Sequence, residues 1–216
     1  MKTSKPILSL LACSLLLASC AGKVEYVKPN SVKPEANSKL IQRNREAVWN
    51  SAVPQLGKQF FVINNLDKSS WLINISYSGS PEKYIDCGRI TSYVQNARGE
   101  RTYNFPAASP MQVFEVMFNG ELFNYKRTMA LEGRVNLIFE EVAPNQTQVT
   151  ASTRYVVTRG LVQQRAANGA SQSMSDTVAF NSNGSGAFPA SASSDIAPTE
   201  CFSTGKLEQE ILSTIR

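Results

Sequence analysis

Residues 133–158 have the sequence GRVNLIFEEVAPNQTQVTASTRYVVT, in which two segments of alternating apolar and polar residues flank a short turn. Ala143, Pro144 and Asn145 form that turn, because proline and asparagine favour turn conformations. Alternation with a period of two places every second side chain on one face of a strand. The stretch therefore predicts a long antiparallel β-hairpin. The residues on its apolar face are Val135, Leu137 and Phe139 in the first strand and Val149, Ala151, Thr153 and Tyr155 in the second.

Shorter apolar or alternating runs on the N-terminal side of the hairpin predict further strands. These strands cover residues 59–64, 71–77, 90–95, 101–105 and 111–118. On the C-terminal side, residues 163–200 are rich in Ser, Ala, Asn and Gly. That composition predicts a loop, interrupted by one strand over residues 177–181.

Apolar residues at helical spacing predict one helix at each end of the folded region. The first helix would start at Ser38 as its N-cap and stop at residues 54–57, and the second would span residues 205–216. Their apolar faces consist of Leu40, Ile41, Ala47, Val48 and Ala52, and of Leu207, Ile211, Leu212 and Ile215. A helix at each end of an antiparallel sheet is typical of the α+β class. We therefore expect one α+β domain over residues 39–216, with an antiparallel β-sheet wrapped against helices.

The N-terminus has the features of a secretory signal peptide. Lys2 and Lys5 precede an apolar run over residues 7–18, which is shorter than the roughly 20 residues that a membrane-spanning helix needs. The run ends in Leu-Ala-Ser-Cys at residues 17–20, which resembles the bacterial lipobox. The resemblance implies cleavage after residue 19 and acylation of Cys20, and the neighbouring Ala21 implies sorting to the outer membrane. Three acyl chains at Cys20 would anchor the protein stably. The alternative is a plain signal peptide with a coincidental cysteine.

Residues 20–38 are predicted to consist of the lipidated Cys20 and a flexible tether. They contain two Lys-Pro pairs, few apolar residues and no periodicity, and proline favours extended backbone at the residue before it. The tether is expected either to act as a passive spacer or to lie along a partner protein. In the second case Val24, Tyr26 and Val27 are the candidate contact residues.

The composition excludes several classes of function. The 216 residues include no histidine, so a Ser-His-Asp triad, a Cys-His dyad and a histidine-ligated metal site are ruled out. Glu140 and Glu141 are adjacent carboxylates, but neighbours on a strand point to opposite faces. We therefore expect no catalytic site, no cofactor and no metal. The net charge of +5 falls to +3 when Lys2 and Lys5 leave with the signal peptide, so nucleic acid is not an expected partner.

Two cysteines, Cys87 and Cys201, remain once Cys13 is removed with the signal peptide and Cys20 is lipidated. In an oxidising compartment such a pair is typical of a structural disulfide. A redox role is the alternative, and it usually requires the C-x-x-C spacing that these residues lack. We therefore expect a Cys87–Cys201 disulfide.

The organisation of residues 20–216 resembles the BamC family of lipoproteins from the outer-membrane β-barrel assembly machinery. The resemblance lies in the lipobox, the proline-containing tether, the strands FFVIN at 60–64 and LINISY at 72–77, and the amphipathic C-terminal helix. It implies a single helix-grip domain, in which the sheet wraps one face of a helix. It also implies that the tether lies against a partner lipoprotein.

Three functions are compatible with these features. The first is a non-catalytic accessory or scaffold subunit of an envelope assembly, of the barrel-assembly or secretion type, with an envelope protein as its partner. Phe60, Phe61 and Trp71 are candidate partner-binding residues, although aromatic side chains at strand spacing more often belong to the core. The second is a periplasmic binder of a small apolar or lipid-like ligand, and the third is an enzyme. The first is favoured, because it needs only an anchor and an interaction surface.

Overall fold

The computed structural model describes residues 21–30, 36–59, 61–190 and 198–216, along which lie thirteen strands and two helices. The first eight strands are β1 (Ala21–Val27), β2 (Ser38–Ile41), β3 (Val62–Asp67), β4 (Leu72–Gly79), β5 (Ile85–Asp86), β6 (Arg89–Asn96), β7 (Gly99–Pro106) and β8 (Met111–Phe118). The remaining strands are β9 (Glu121–Ala143), β10 (Gln146–Arg165), β11 (Ser171–Asn181), β12 (Ser185–Phe188) and β13 (Thr199–Ser203). The helices are α1 (Arg45–Leu56) and α2 (Lys206–Thr214).

The predicted hairpin is confirmed and is longer than its sequence pattern indicated. Strands β9 and β10 pair antiparallel along their whole length. The pairing sets Val135 opposite Thr153 and Leu137 opposite Ala151, so the predicted apolar faces coincide. All of these side chains are buried. Asn145 in the turn has a φ of 57°, a left-handed conformation that asparagine tolerates better than most residues.

Three antiparallel sheets share the core. The main sheet has the strand order β11-β10-β9-β4-β3, with β8 on the first half of β9 and β2 beside the start of β10. The N-terminal sheet consists of β1, β6 and β7, and the small sheet consists of β12, β13 and β5. The predicted strands over residues 71–77, 90–95, 101–105 and 111–118 correspond to β4, β6, β7 and β8.

The α+β expectation is wrong, because the described chain is mostly β and its two helices are short. The first predicted helix is wrong in its first residues, because residues 38–41 form strand β2, which pairs with β10. Helix α1 begins only after Asn44, whose side chain accepts a hydrogen bond from the Ala47 backbone nitrogen at 2.8 Å. Unpaired backbone groups along the edge of β10 favour a strand over the helix that the apolar spacing indicated. The helix-grip arrangement is therefore replaced by three packed sheets.

The predicted loop over residues 163–200 is also wrong for most of its described length. Strand β11 pairs with β10 from Ser171 to Asn181, extending the main sheet well beyond the predicted strand at 177–181. Strands β12 and β13 pair with each other. The small polar side chains of β11 are mostly exposed to solvent. Its backbone hydrogen bonds to β10 form regardless of side-chain type, so this strand has the composition of a loop.

The disordered tether is corrected for residues 21–27, which form β1. This strand pairs with β6 from the Ala21–Gln95 pair to the Val27–Arg89 pair. Strand β6 otherwise has an open edge, and its backbone groups take β1 as their partner. Residues 21–27 are thus part of the folded structure.

The core lies under the inner face of the main sheet. Helix α1 packs on the C-terminal part of β9, where the ring centroids of Trp49 and Phe139 are 5.3 Å apart in an edge-to-face arrangement. Helix α2 packs on β10, where the Tyr155 hydroxyl donates to the buried Glu208 carboxylate at 2.6 Å. The N-terminal sheet packs on β8 at the other end, and the Ser92 hydroxyl donates there to the Glu115 carbonyl at 2.6 Å. The opposite face of the main sheet faces solvent.

Candidate functional site

The predicted disulfide between Cys87 and Cys201 is present. Both side chains are fully buried, and the bond joins the segment after β5 to β13 across 114 residues of sequence. It lies where the N-terminal sheet and the small sheet meet, since Cys87 directly follows β5 and only Gly88 separates it from β6. The disulfide therefore ties the two smaller sheets together.

Tyr26 makes a second link between the same two sheets. Its hydroxyl donates to the Glu200 carbonyl at 3.1 Å and accepts from the Glu200 backbone nitrogen at 2.9 Å. Burial raises the pKa of the phenol, and the bond to Glu200 opposes that rise. Strand β1 is thus fixed to β13 next to the disulfide, and Tyr26 has an intramolecular role.

The other residues predicted to bind a partner lie apart from one another. Val24 is half-buried against the core, whereas Val27 at the end of β1 is 62% exposed. Phe61 is buried, and Trp71 is half-buried against Trp49 with the Arg45 guanidinium 4.3 Å from its ring centroid. Cys20 and Phe60 lie outside the described residues. The structure does not bring this set together in one surface.

A polar surface instead covers the outer face of the main sheet. Antiparallel register aligns Ser76, Arg134, Arg154 and Asn181 in one row across β4, β9, β10 and β11. The next row contains Asn74, Asn136 and Ser152. We call these seven residues the polar face. They alternate along the strands with buried residues such as Ile75 and Val135, which hold the backbone in place.

Asparagine side chains form a hydrogen-bonded ladder at one side of the polar face. The Asn64 amide donates to the Asn74 side-chain oxygen at 2.9 Å, and the Asn74 amide donates to the Asn136 side-chain oxygen at 2.7 Å. The ladder crosses β3, β4 and β9. Mutual hydrogen bonding restricts the rotamers of these amides, so the remaining donors and acceptors have fixed directions.

Two adjoining recesses open on this surface. One has a volume of about 460 Å³ and the other about 610 Å³, and both are lined by Asn74 and Arg134. Arg154 and Asn181 line only the larger recess. Their lining residues carry amide, hydroxyl and guanidinium groups, together with the Glu132 carboxylate in the smaller recess, so the recesses suit a polar ligand.

Arg134 and Arg154 stand directly opposite each other, and both are exposed. Within the described chain neither side chain makes an ion pair or a hydrogen bond, and the nearby Glu132 makes no ion pair with Arg134. Like charges in directly opposed positions destabilise a strand pair. The polar face therefore carries two cationic groups that are not neutralised.

Two arginines inside the core, unlike Arg134 and Arg154, make contacts within the protein. Buried Arg159 pairs with Asp176 at 2.6 Å and donates to the Pro189 carbonyl at 3.2 Å. Buried Arg127 donates to the Ala107 carbonyl, and burial, together with the charge of Arg159, lowers the pKa of Arg127 to about 9. Internal contacts account for these two arginines, in contrast to the outward-facing Arg134 and Arg154.

The sequence contained a signal for the polar face that the prediction did not use. Arg134 and Arg154 lie equally far from Pro144 on either side of the predicted turn. The register of the hairpin would have placed them opposite each other on its outward face. Their neighbours Ser76 and Asn181 come from β4 and β11, whose place beside the hairpin is a matter of tertiary topology.

Among the described residues, no group of His, Cys, Asp or Glu side chains is placed to hold a metal ion. Neither α1 nor α2 is long and apolar enough to cross a membrane.

Comparison with protein-family models, curated proteins and solved structures finds no match to this chain.

Proposed function

We propose that this protein is a non-catalytic, lipid-anchored lipoprotein on the periplasmic face of the bacterial outer membrane. In this proposal it acts as an accessory or scaffold subunit and connects the membrane to another component of the envelope. The observation that carries the connecting role is the polar face, where two exposed arginines without ion-pair partners in the described chain stand beside a ladder of hydrogen-bonded amides. The helix-grip part of the resemblance to BamC is wrong, so the proposal keeps from it only the accessory role.

The proposed address is supported from two sides. The sequence Leu-Ala-Ser-Cys at 17–20 follows a short apolar run and a basic N-terminus. The Cys87–Cys201 disulfide supports an oxidising compartment, because structural disulfides are rare in the reducing cytosol. Both features favour export of the chain across the inner membrane.

Strand β1 changes how the anchor would act. Because Ala21 is already paired with Gln95, a lipid on Cys20 would sit one residue from a strand of the folded domain. The expected spacer between lipid and domain would then be replaced by a direct attachment. The domain would therefore rest against the membrane surface in a restricted orientation.

The alternative role as a binder of a small apolar ligand is less well supported. The two recesses on the polar face are lined mainly by polar side chains. An apolar ligand gains most of its affinity from contact with apolar walls. The geometry of these recesses favours a polar occupant.

Replacement of the lipidated cysteine tests the anchor. We expect Cys20→Ser to move the protein from the membrane fraction, since the thiol is the site of acylation. Cys13→Ser is the matched control, because it removes a cysteine from the signal peptide but leaves the lipobox intact. Mass spectrometry of the wild-type N-terminus should find the acyl chains on Cys20. Equal fractionation of the wild type and both variants would refute the anchor.

A further inference from the structure

We propose that the polar face binds an anionic glycan, with Arg134 and Arg154 holding its carboxylates. The neighbouring amides and hydroxyls of Asn74, Asn136 and Ser152 would bind its uncharged groups. This inference rests on the proposed function, in which the polar face meets another envelope component. It specifies the chemistry of that component.

The charge of the two arginines supports an anionic ligand. Seven basic side chains of the described chain form ion pairs with carboxylates, whereas others, such as Lys58, Lys126 and Lys206, form none. Arg134 and Arg154 belong to the second group, and they face each other in register. An anion between them would remove their mutual repulsion and accept hydrogen bonds from both guanidinium groups.

The geometry of the row supports a ligand with several polar groups. Directly opposed residues in an antiparallel pair have Cβ atoms about 5 Å apart, so the two guanidinium groups can act on one ligand. Arg134 lines both recesses, and Asn74 lines both from the neighbouring strand. A ligand seated across them would span three strands, from β4 to β10.

A glycan fits this surface better than a peptide does. Peptides often bind sheets by adding a strand at an edge, where backbone groups are free. The polar face lies on β4, β9, β10 and β11, where β9 and β10 have neighbours on both sides. Recognition there depends on side chains, and amide and hydroxyl groups match the hydroxyls of a sugar. The arginines add selectivity for carboxylate-bearing sugars.

Binding of the purified protein, kept in detergent micelles whether or not Cys20 carries acyl chains, to polygalacturonate tests the inference. We expect the wild type to bind this polyanion, and to bind neutral dextran at least tenfold more weakly. Arg134→Gln and Arg154→Gln should each weaken polygalacturonate binding about tenfold or more, since each removes charge-assisted hydrogen bonds. Circular dichroism should show both variants folded, because the two side chains are exposed.

Lys126→Gln is the matched control, because it removes one positive charge from an exposed position on the same strand. It should leave binding unchanged. Equal weakening by all three substitutions would overturn the site in favour of non-specific charge attraction. Absence of polygalacturonate binding, or tighter binding of polyglutamate than of polygalacturonate, would refute the assignment of an anionic glycan as the ligand. These results do not depend on acylation of Cys20, so they separate failure of this inference from failure of the anchor.

Discussion

Tyr26 shows how one side chain can change the role of a whole segment. Its hydroxyl both donates to and accepts from the backbone of Glu200, in the manner of a neighbouring strand. The contact holds β1 on the small sheet, and β1 in turn covers the edge of β6. A residue that composition assigned to a spacer is therefore part of the folded structure.

Replacement of this tyrosine tests its role. Tyr26→Phe should lower the free energy of unfolding by about 1–3 kcal/mol, because it leaves the amide and carbonyl of Glu200 without their partner. Tyr93→Phe is the control, because the Tyr93 hydroxyl contacts the side chains of Gln95, at 3.4 Å, and Glu100 rather than backbone groups. Urea denaturation followed by tryptophan fluorescence would measure both. Equal stability of Tyr26→Phe and the wild type would contradict this role.

Single residues differed in how far the sequence could predict them. The disulfide partners were predictable because the expected signal-peptide cleavage and lipidation would leave one pair of cysteines. The contact between Tyr26 and Glu200 was not, because the two residues are 174 positions apart and come from different sheets. Nothing in the local sequence of β1 indicates β13 as its neighbour.

Among the elements, the small sheet depends most on a covalent bond. Its strands contain only two to five residues each, and a pair of such short strands is marginally stable in water. The disulfide attaches β13 to the segment before β6. The bond therefore supplies a constraint that the short ladders do not.

Removal of the disulfide should be costly. In the chain-entropy model, a bond across 114 residues stabilises the folded chain by about 4–5 kcal/mol. The double variant Cys87→Ala/Cys201→Ala should lose stability of that order in urea denaturation. A reducing agent should lower the stability of the wild type similarly and leave that of the double variant unchanged. An unaltered denaturation midpoint in the double variant would show that the bond is not a stabilising constraint.

At the same scale, the sequence predicted strands better than helices or loops. The hairpin was predictable because its alternation is regular on both sides of a turn with proline and asparagine. Residues 38–41 were assigned to a helix because Leu40 and Ile41 fit a helical face, but pairing with β10 outweighs that local pattern. Strand β11 was missed because its polar composition resembles a loop, whereas its backbone pairs along β10.

At the scale of the whole molecule, β1 places the proposed anchor at one end. Turns from β6–β7, β8–β9 and β10–β11 lie together there around a recess of about 670 Å³. Ala21 is paired with Gln95, next to the first of these turns. The β9–β10 turn at Pro144 lies at the opposite end of the 23-residue strand β9, which at about 3.3 Å per residue extends up to about 70 Å.

The polar face depends on this whole-molecule arrangement and was not predicted. The hairpin alone would have placed Arg134 opposite Arg154, but the two flanking strands complete the row. Strand β4 is distant from β9 in sequence, and β11 lay within the predicted loop. A binding surface assembled from four strands appears only when the order of the strands is known.

Energy transfer to labelled lipids tests the anchored arrangement most directly. Arg98→Cys in the β6–β7 turn and Pro144→Cys in the β9–β10 turn provide single labelling sites, because Cys87 and Cys201 are joined. Lipidated protein is reconstituted in phospholipid vesicles that contain an acceptor lipid. We predict strong transfer from the label at position 98 and weak transfer from position 144, with both lost in the Cys20→Ser background. Equal transfer from the two positions would contradict direct attachment of the domain at the membrane.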